Sequence, residues 1–279
     1  MSGILRIGQS ADPDDAFMAW GLRSELERRG LDVELEFADI ESLNRATEEG
    51  NLDLSAISVG AYPNFADRYR ILRCGASFGD QYGPLVVGAR PPGTPTETPL
   101  SGLTVAIPGA RTTARMLLRI YAGATYQEVE MPFDAILDAV IAGEVDAGLI
   151  IHEGQLVYER LGLHALFEPA LEWAEREQLP LPLGVVAIRR DLPEPVQEAV
   201  ADAFAHSVHA AFQDPESALD FAATYARGLA RDDLEEYVHR YVNAATLDMG
   251  VTGQRAIERL FERARAAELL PDVPPVDLY

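Results

Sequence analysis

The chain has 279 residues, of which 48% are hydrophobic, and this suits one large or two medium domains with a proper core. A formal net charge of −22 argues against a nucleic-acid partner, because no basic stripe is available to neutralise phosphates. One cysteine, Cys74, excludes a disulfide framework or a multi-cysteine metal site; with no signal-peptide pattern and no long apolar run, we expect a cytoplasmic protein without a membrane partner.

Strand and helix patterns alternate along the first part of the chain. Apolar residues at 5–8 predict a first strand, and the polar segment 10–17 leads into a helix that ends at Gly30. Two further strands are predicted at 33–37 and 52–58, with a helix between them. This alternation predicts an α/β fold.

One short pattern, helix–Gly–x–Leu or Val–Asp–strand, occurs twice. Its glycines, Gly50 and Gly143, are 93 residues apart. The recurrence predicts two α/β lobes built alike, each ending a strand at a site, with Ser58 in one and His152 in the other. Ligands of open α/β sheets bind beyond the carboxyl ends of the strands. From position alone, however, a histidine there is more often structural than catalytic.

Two apolar strands, at 83–88 and 181–188, are predicted to link the lobes as a hinge would. A run rich in proline and threonine at 90–99 predicts a surface loop, and residues 193–270 show helical patterns.

The segment 108–113 turns from a strand into a helix. Main-chain N–H groups at a helix start, with the hydroxyls of Thr112 and Thr113 beside them, suit a bound anion. The same hydroxyls can instead cap the helix, and the two interpretations are equally supported and compatible. Asp14 and Asp15 suit acid–base work as a pair, but acids at a helix start are ordinary and a capping role is favoured.

Several segments, in their order along the chain, resemble the 1,4-dihydroxy-6-naphthoate synthase family of the futalosine route to menaquinone. The most specific is Gly148-Leu-Ile-Ile-His-Glu153, and the resemblance covers essentially the whole chain; the others lie at 10–17, 82–87, 109–114, 179–184 and 241–244. That family has the two-lobed α/β fold of type II periplasmic binding proteins, used as a cytoplasmic enzyme with a central interlobe cleft. The resemblance implies one lobe from 1–88 with 189–279, and another from 89–188.

The family's reaction implies a carbon–carbon lyase that converts cyclic dehypoxanthine futalosine, a small-molecule carboxylate, to 1,4-dihydroxy-6-naphthoate. Because aromatisation supplies the driving force, the reaction implies no metal and no organic cofactor. We expect a monomer or a homodimer. The resemblance makes His152 the proton acceptor and implies these substrate-binding residues: Ala56, Ile57, Ser58, Thr113 and Ala114, with Thr112 adjacent.

The first loop departs from the family's pattern. Many members carry Ser-Pro-Cys-Pro-Asn-Asp, whereas this chain has Ser-Ala-Asp-Pro-Asp-Asp at 10–15. Asp12 and Asp14 add negative charge near the cleft, which puts the loop's contacts in doubt, so we assign it no catalytic role. Glu153 either orients the imidazole or stays outside, and the sequence leaves this open.

Three other functions compete with this one. Chorismate dehydratase of the same pathway shares the fold without needing the His152 motif. A solute-binding protein for a small anion would carry a signal peptide or a lipid-anchor cysteine, and a ligand sensor would not need His152 at the cleft. The discriminating observation is whether His152 faces the interlobe cleft beside Ser58 and Thr113.

Overall fold

The structure, a computed structural model, describes residues 4–91, 100–123 and 125–279, so most of the predicted loop at 90–99 lies outside the described residues. The strands are β1 Leu5–Ser10, β2 Val33–Ala38, β3 Leu54–Ser58, β4 Tyr69–Ile71, β5 Ser77–Gly79, β6 Leu85–Gly88, β7 Thr104–Ile107, β8 Gln127–Glu130, β9 Ala147–Ile150, β10 His164–Phe167 and β11 Leu181–Arg189. The α-helices are α1 Pro13–Ala19, α2 Leu22–Arg28, α3 Ile40–Glu48, α4 Thr113–Ala122, α5 Ile136–Ala142, α6 Gly154–Val157, α7 Pro169–Glu177, α8 Glu194–Gln213, α9 Pro215–Ala223, α10 Arg231–Tyr241, α11 Ala244–Leu247 and α12 Gly250–Ala266. Within this described part of the chain, no helix is both long enough and apolar enough to cross a membrane.

The strands form two sheets. The first has the order β2-β1-β3-β11-β4, with β5 also paired to β11, and the second has the order β10-β6-β9-β7-β8. Strands β1, β2 and β3 are parallel, while β11 runs antiparallel to β3. In the second sheet β7 is parallel to β8 and β9, and β6 runs antiparallel to β9. The predicted α/β fold class with two sheet-centred units is therefore confirmed.

Two strands belong to a different sheet from the one that the lobe boundaries expected at 88 and 188 would give them. Those boundaries assign β6 to the first lobe and β11 to the second, but β6 pairs with β9 and β10, and β11 pairs with β3. Both strands are apolar runs, and an apolar run does not indicate which of two sheets it will join. We therefore propose that the lobes divide between β5 and β6 and again between β10 and β11.

The single helix predicted up to Gly30 is two helices, α1 and α2, because the chain turns at Trp20 and Gly21. The Gly21 N–H group donates to the hydroxyl of Ser207 on α8, 3.1 Å away. The turn lets both short helices pack their apolar faces against α8.

Helix α4 contacts the cores of both lobes. Its residue Leu117 is buried with Tyr62 and Trp173 in a cluster around one face of the first sheet. The next residue, Leu118, is buried with Val105 in the core of the second sheet. Because two consecutive side chains of one helix point in different directions and enter two cores, burial of α4 from water holds the two lobes together.

Candidate active site

One cavity lies where the two sheets meet. Strand β3 ends at Ser58, β9 leads to His152, and α4 begins at Thr113, and all three residues face the same space of about 580 Å³, its open mouth included. The lining residues are Asp14, Asp15, Ile40, Ser58, Ser77, Pro84, Thr112, Thr113, Ala114, Ile151, His152, Gln155, Leu183, Gly184, Tyr237 and Tyr241.

Most of the residues singled out from the sequence line this cavity, namely Ser58, Thr112, Thr113, Ala114 and His152. Ala56 and Ile57 do not, because their side chains are buried in two apolar clusters. Successive residues of a strand point to opposite faces, so only the residue at the strand end opens onto the cavity. His152 shares the cavity with Ser58 and Thr113, which is the arrangement that the catalytic interpretation requires.

The His152 imidazole is held on three sides. Its Nδ1 atom lies 3.3 Å from the hydroxyl oxygen of Tyr237, and its ring meets Phe133 edge to face with centroids 5.0 Å apart. Its Nε2 atom lies 3.2 Å from an Asp12 carboxylate oxygen, an ion-pair distance, but the ring N–H is not aimed at that oxygen and forms no hydrogen bond among the described residues. The backbone φ of His152 is +53°, in the left-handed region that non-glycine residues adopt uncommonly.

Arg227 binds carboxylates from both lobes. It lies 3.1 Å from Asp12, which is fully buried and also accepts from the Ser10 hydroxyl, and 2.9 Å from Glu153. Its guanidinium also stacks over the Phe133 ring, 4.5 Å from the centroid. The role left open for Glu153 is therefore contact with Arg227 rather than with the imidazole. The first loop, whose contacts the sequence left open and to which it assigned no catalytic role, places Asp12 beside His152 and Arg227.

Asp14 faces the cavity instead of capping helix α1. The N-cap residue of α1 is Asp12, whose side chain makes no capping bond, so the capping role favoured for the Asp14 and Asp15 pair is wrong for Asp14. Burial, and after it the nearby charge of Asp12, raise the pKa of the Asp14 carboxyl to about 6, while His152 opposes the rise. One Asp14 oxygen is buried without a hydrogen bond among the described residues.

Replacing Asp14 by Asn is expected to stabilise the protein at neutral pH. Because the folded-state pKa of Asp14 is raised from 3.8 to about 6, its contribution to stability is complete below 3.8 and is lost as the pH rises through 6. That rise corresponds to about 3 kcal/mol of unfolding free energy. Urea unfolding at about pH 7.5 and about pH 4 should show the variant's gain at the higher pH and little gain at the lower. Asp67→Asn, at an exposed aspartate, is the control; an equal gain at both pH values contradicts the expectation.

The two threonines at the start of α4 have different partners. The Thr112 hydroxyl accepts from the Arg115 N–H at 3.2 Å, so it caps the helix. The Thr113 hydroxyl accepts from the Gly60 N–H at 2.9 Å and donates to the Leu183 carbonyl at 2.7 Å, which joins α4 to the first lobe. With both hydroxyls and the Arg115 N–H engaged, the groups left to bind an anion are the main-chain N–H groups of Thr113 and Ala114, which have no acceptor within the helix.

Thr113→Val is expected to lower the unfolding free energy by about 1–3 kcal/mol, because it leaves a partly buried N–H and a partly buried carbonyl without their partner while keeping the side-chain shape. Thr113→Ser keeps the hydroxyl and should cost less. Denaturant unfolding of both variants measures the difference, and a cost for Thr113→Val no larger than that for Thr113→Ser would contradict this account, since the two hydrogen bonds would then contribute no more than the methyl group.

Helix α10 supplies two tyrosines that the sequence did not assign to the site, although Tyr241 begins the family-like segment 241–244. Tyr237 contacts His152, and the Tyr241 hydroxyl donates to Gln155 at 2.9 Å. Burial raises the pKa of both phenols above the usual value of 10, so both remain hydrogen-bond donors at neutral pH. Their helical spacing resembles that of ordinary core residues, and no local signal distinguishes them.

Taken together, the lining combines one imidazole, the carboxyl groups of Asp14 and Asp15, neutral donors and a helix start. No arginine is among the lining residues that the structure describes, and no group of three or more His, Cys, Asp or Glu side chains within the described ranges is arranged to hold a metal ion. Such a site can remove a proton from a bound molecule and donate hydrogen bonds to its oxygens.

The sequence matches proteins of one pathway. The family model described as menaquinone biosynthesis covers residues 5–266. A 1,4-dihydroxy-6-naphthoate synthase of Thermus thermophilus is 42% identical over 270 residues, which is 97% of each chain. The enzyme of the same name from Streptomyces coelicolor is 35% identical over 276 residues, 97% of this chain and 96% of that one.

Solved structures agree with the architecture. A protein of Archaeoglobus fulgidus superposes with a TM-score of 0.87 at 40% identity, covering 96% of this chain and 99% of that one. The alkanesulfonate-binding protein of Xanthomonas axonopodis pv. citri superposes with a TM-score of 0.70 at 15% identity, covering 99% and 97%, which shows the fold alone. The predicted two-lobed fold, like that of periplasmic binding proteins, is confirmed, and the chain belongs to the 1,4-dihydroxy-6-naphthoate synthase family of menaquinone biosynthesis enzymes.

Proposed function

We propose that the protein is a carbon–carbon lyase that converts cyclic dehypoxanthine futalosine to 1,4-dihydroxy-6-naphthoate, with His152 as the proton acceptor. The observation that carries the proposal is that His152 lines the interlobe cavity together with Ser58 and Thr113. The names of the two relatives, which match this chain over nearly their whole length, support the reaction.

The chemistry follows from the groups that face the cavity. The substrate has a ketone that acidifies a neighbouring proton, and the neutral imidazole of His152 takes that proton as a general base. The ring then opens towards an aromatic product, whose stability drives the reaction. Tyr237 and Tyr241 line the same cavity as neutral phenols, and their hydroxyls contact His152 and Gln155, so they position these two side chains. No metal or organic cofactor enters this scheme.

Binding of the substrate carboxylate is assigned to the first turn of α4, where Thr113 and Ala114 line the cavity. The Ser58 hydroxyl accepts from the Asn44 side chain at 3.1 Å, and the Asn44 oxygen accepts from the Ser58 N–H at 2.8 Å. Asn44 thus fixes the end of β3 and leaves the Ser58 hydroxyl hydrogen available for a ligand. For Ala56 and Ile57, the proposal assigns contact with the substrate only to main-chain atoms, since both side chains are buried in apolar clusters.

Incubation of the purified protein with cyclic dehypoxanthine futalosine, and separately with chorismate, tests the proposal. We expect 1,4-dihydroxy-6-naphthoate from the first and no change in the second. Turnover of chorismate would instead assign the dehydratase activity, and binding of either compound without turnover would assign a binding protein. The cytoplasmic location and the monomeric or homodimeric state stay predictions.

A further inference from the structure

The Asp12 carboxylate lies within hydrogen-bonding distance of the His152 imidazole. Its side chain is fully buried, and its two oxygens face the Ser10 hydroxyl, Arg227 and the Nε2 atom of His152. Each carboxylate oxygen has two lone pairs, so the oxygen that accepts from Ser10 has a second one for the imidazole.

The Nε2 atom of His152 is buried and has no hydrogen bond among the described residues. A buried polar atom without a partner costs about 1–3 kcal/mol, so the ring gains from any rotation that supplies one. The Asp12 oxygen is already 3.2 Å away, and only the direction of the ring N–H has to change. Hydrogen bonds of catalytic groups are often poorly aligned without substrate and align when it binds.

We propose that Asp12 is a positioning residue for His152. It accepts the Nε2 proton, which selects the tautomer with an unprotonated Nδ1 atom and makes Nδ1 the atom that takes the substrate's proton. Nδ1 is on the Tyr237 side of the ring, and both residues line the cavity. When Nδ1 becomes protonated, the Asp12 carboxylate also stabilises the imidazolium. Selection of the tautomer stands on the contacts alone, whereas the role of Nδ1 as base rests on the proposed function.

Arg227 compensates the negative charge of the buried Asp12 carboxylate. An uncompensated carboxylate inside a protein is costly, and Arg227 lies 3.1 Å from the Asp12 oxygen on the side away from the imidazole. The same guanidinium also binds Glu153, at 2.9 Å. Glu153 follows His152 in the chain and binds the same arginine as Asp12 does. The contacts of Glu153 within the described residues do not include the imidazole, so a variant at Glu153 is a matched control.

The test compares the wild-type protein with Asp12→Asn and Glu153→Gln, each labelled with ¹⁵N-histidine, and uses His152→Asn to assign the imidazole signals. The ¹⁵N shifts should show the Nε2–H tautomer in the wild type and in Glu153→Gln. In Asp12→Asn the amide can donate to Nε2, so the Nδ1–H tautomer should increase. In turnover of cyclic dehypoxanthine futalosine, kcat of Asp12→Asn should fall about 10- to 100-fold with little change in KM.

Asp12→Glu, which keeps a carboxylate, should retain the Nε2–H tautomer, and it replaces Asp12→Asn if that variant does not fold. An unchanged tautomer in Asp12→Asn, or an equal loss of kcat and rise of KM in Asp12→Asn and Glu153→Gln, would overturn the positioning role. If the wild type forms no product, the proposed reaction fails, yet the ¹⁵N shifts still decide whether Asp12 sets the tautomer. If product forms and the tautomer does not depend on Asp12, the reaction stands and this inference fails.

Discussion

Replacing His152 by Asn is expected to lower kcat by about 10²- to 10⁴-fold, because a positioned general base contributes a factor of that size. KM should change little, since the groups assigned to substrate binding lie on α4 and at the end of β3. Asparagine is the suitable replacement because it tolerates the backbone φ of +53° at this position better than alanine does. Steady-state kinetics on cyclic dehypoxanthine futalosine measure the effect.

Two further variants make this result specific. His164→Asn removes an exposed imidazole from β10 of the same lobe and should leave kcat unchanged. His152→Gly also tolerates the left-handed backbone and leaves space for a ring, so added imidazole should restore part of its activity. Wild-type turnover by His152→Asn would remove this residue as the base and leave the family assignment unaffected.

Trp173→Ala is expected to lower the unfolding free energy by about 3–5 kcal/mol, the range for removal of a large buried aromatic side chain. Trp173 is fully buried and belongs to α7, on the segment that returns the chain from the second sheet to the first. Its indole N–H donates to the Leu179 carbonyl at 2.8 Å, so the change removes both apolar contact and a hydrogen bond. Urea unfolding followed by circular dichroism measures the loss.

The control for this prediction lies two residues away. Leu171, on the same helix, is 39% exposed, and Leu171→Ala should cost within about 0.5 kcal/mol. If both variants lost the same small amount, α7 would contribute little to the core of the first lobe. A separate early transition in Trp173→Ala would show instead that the lobes unfold independently once α7 is released.

Patterns that are local in the sequence predicted much of the fold and one part of the site. Residues 136–141 have helical spacing, Gly143 ends the helix, and the apolar run after it forms β9, so the position of His152 beyond a strand end follows from periodicity alone. The capping of α4 by Thr112 was equally local. Which of two neighbouring sheets receives β6 or β11 is not local, because it depends on partners far away in the chain.

The residues around His152 were hidden from the sequence for the same reason. Tyr237 is 85 residues from His152, and Arg227 is 215 residues from Asp12. No spacing rule connects residues so far apart, and only the packing of α10 and of the segment before it against the first loop brings them together. The family pattern at the first loop could not predict the contact between Asp12 and His152 either, because this chain differs from that pattern at residues 12 and 14.

Strand β6 belongs to the second sheet and β11 to the first, and this membership fixes the order in which the two sheets can form during synthesis on the ribosome. Every strand of the second sheet lies within residues 85–167, so that sheet is complete as soon as this stretch has emerged. The first sheet lacks β11, which lies between β3 and β4, until residue 189 has been synthesised. The N-terminal strands therefore wait, unpaired on one side, while about a hundred later residues are translated, and the inserted lobe is the first part of the nascent chain able to fold.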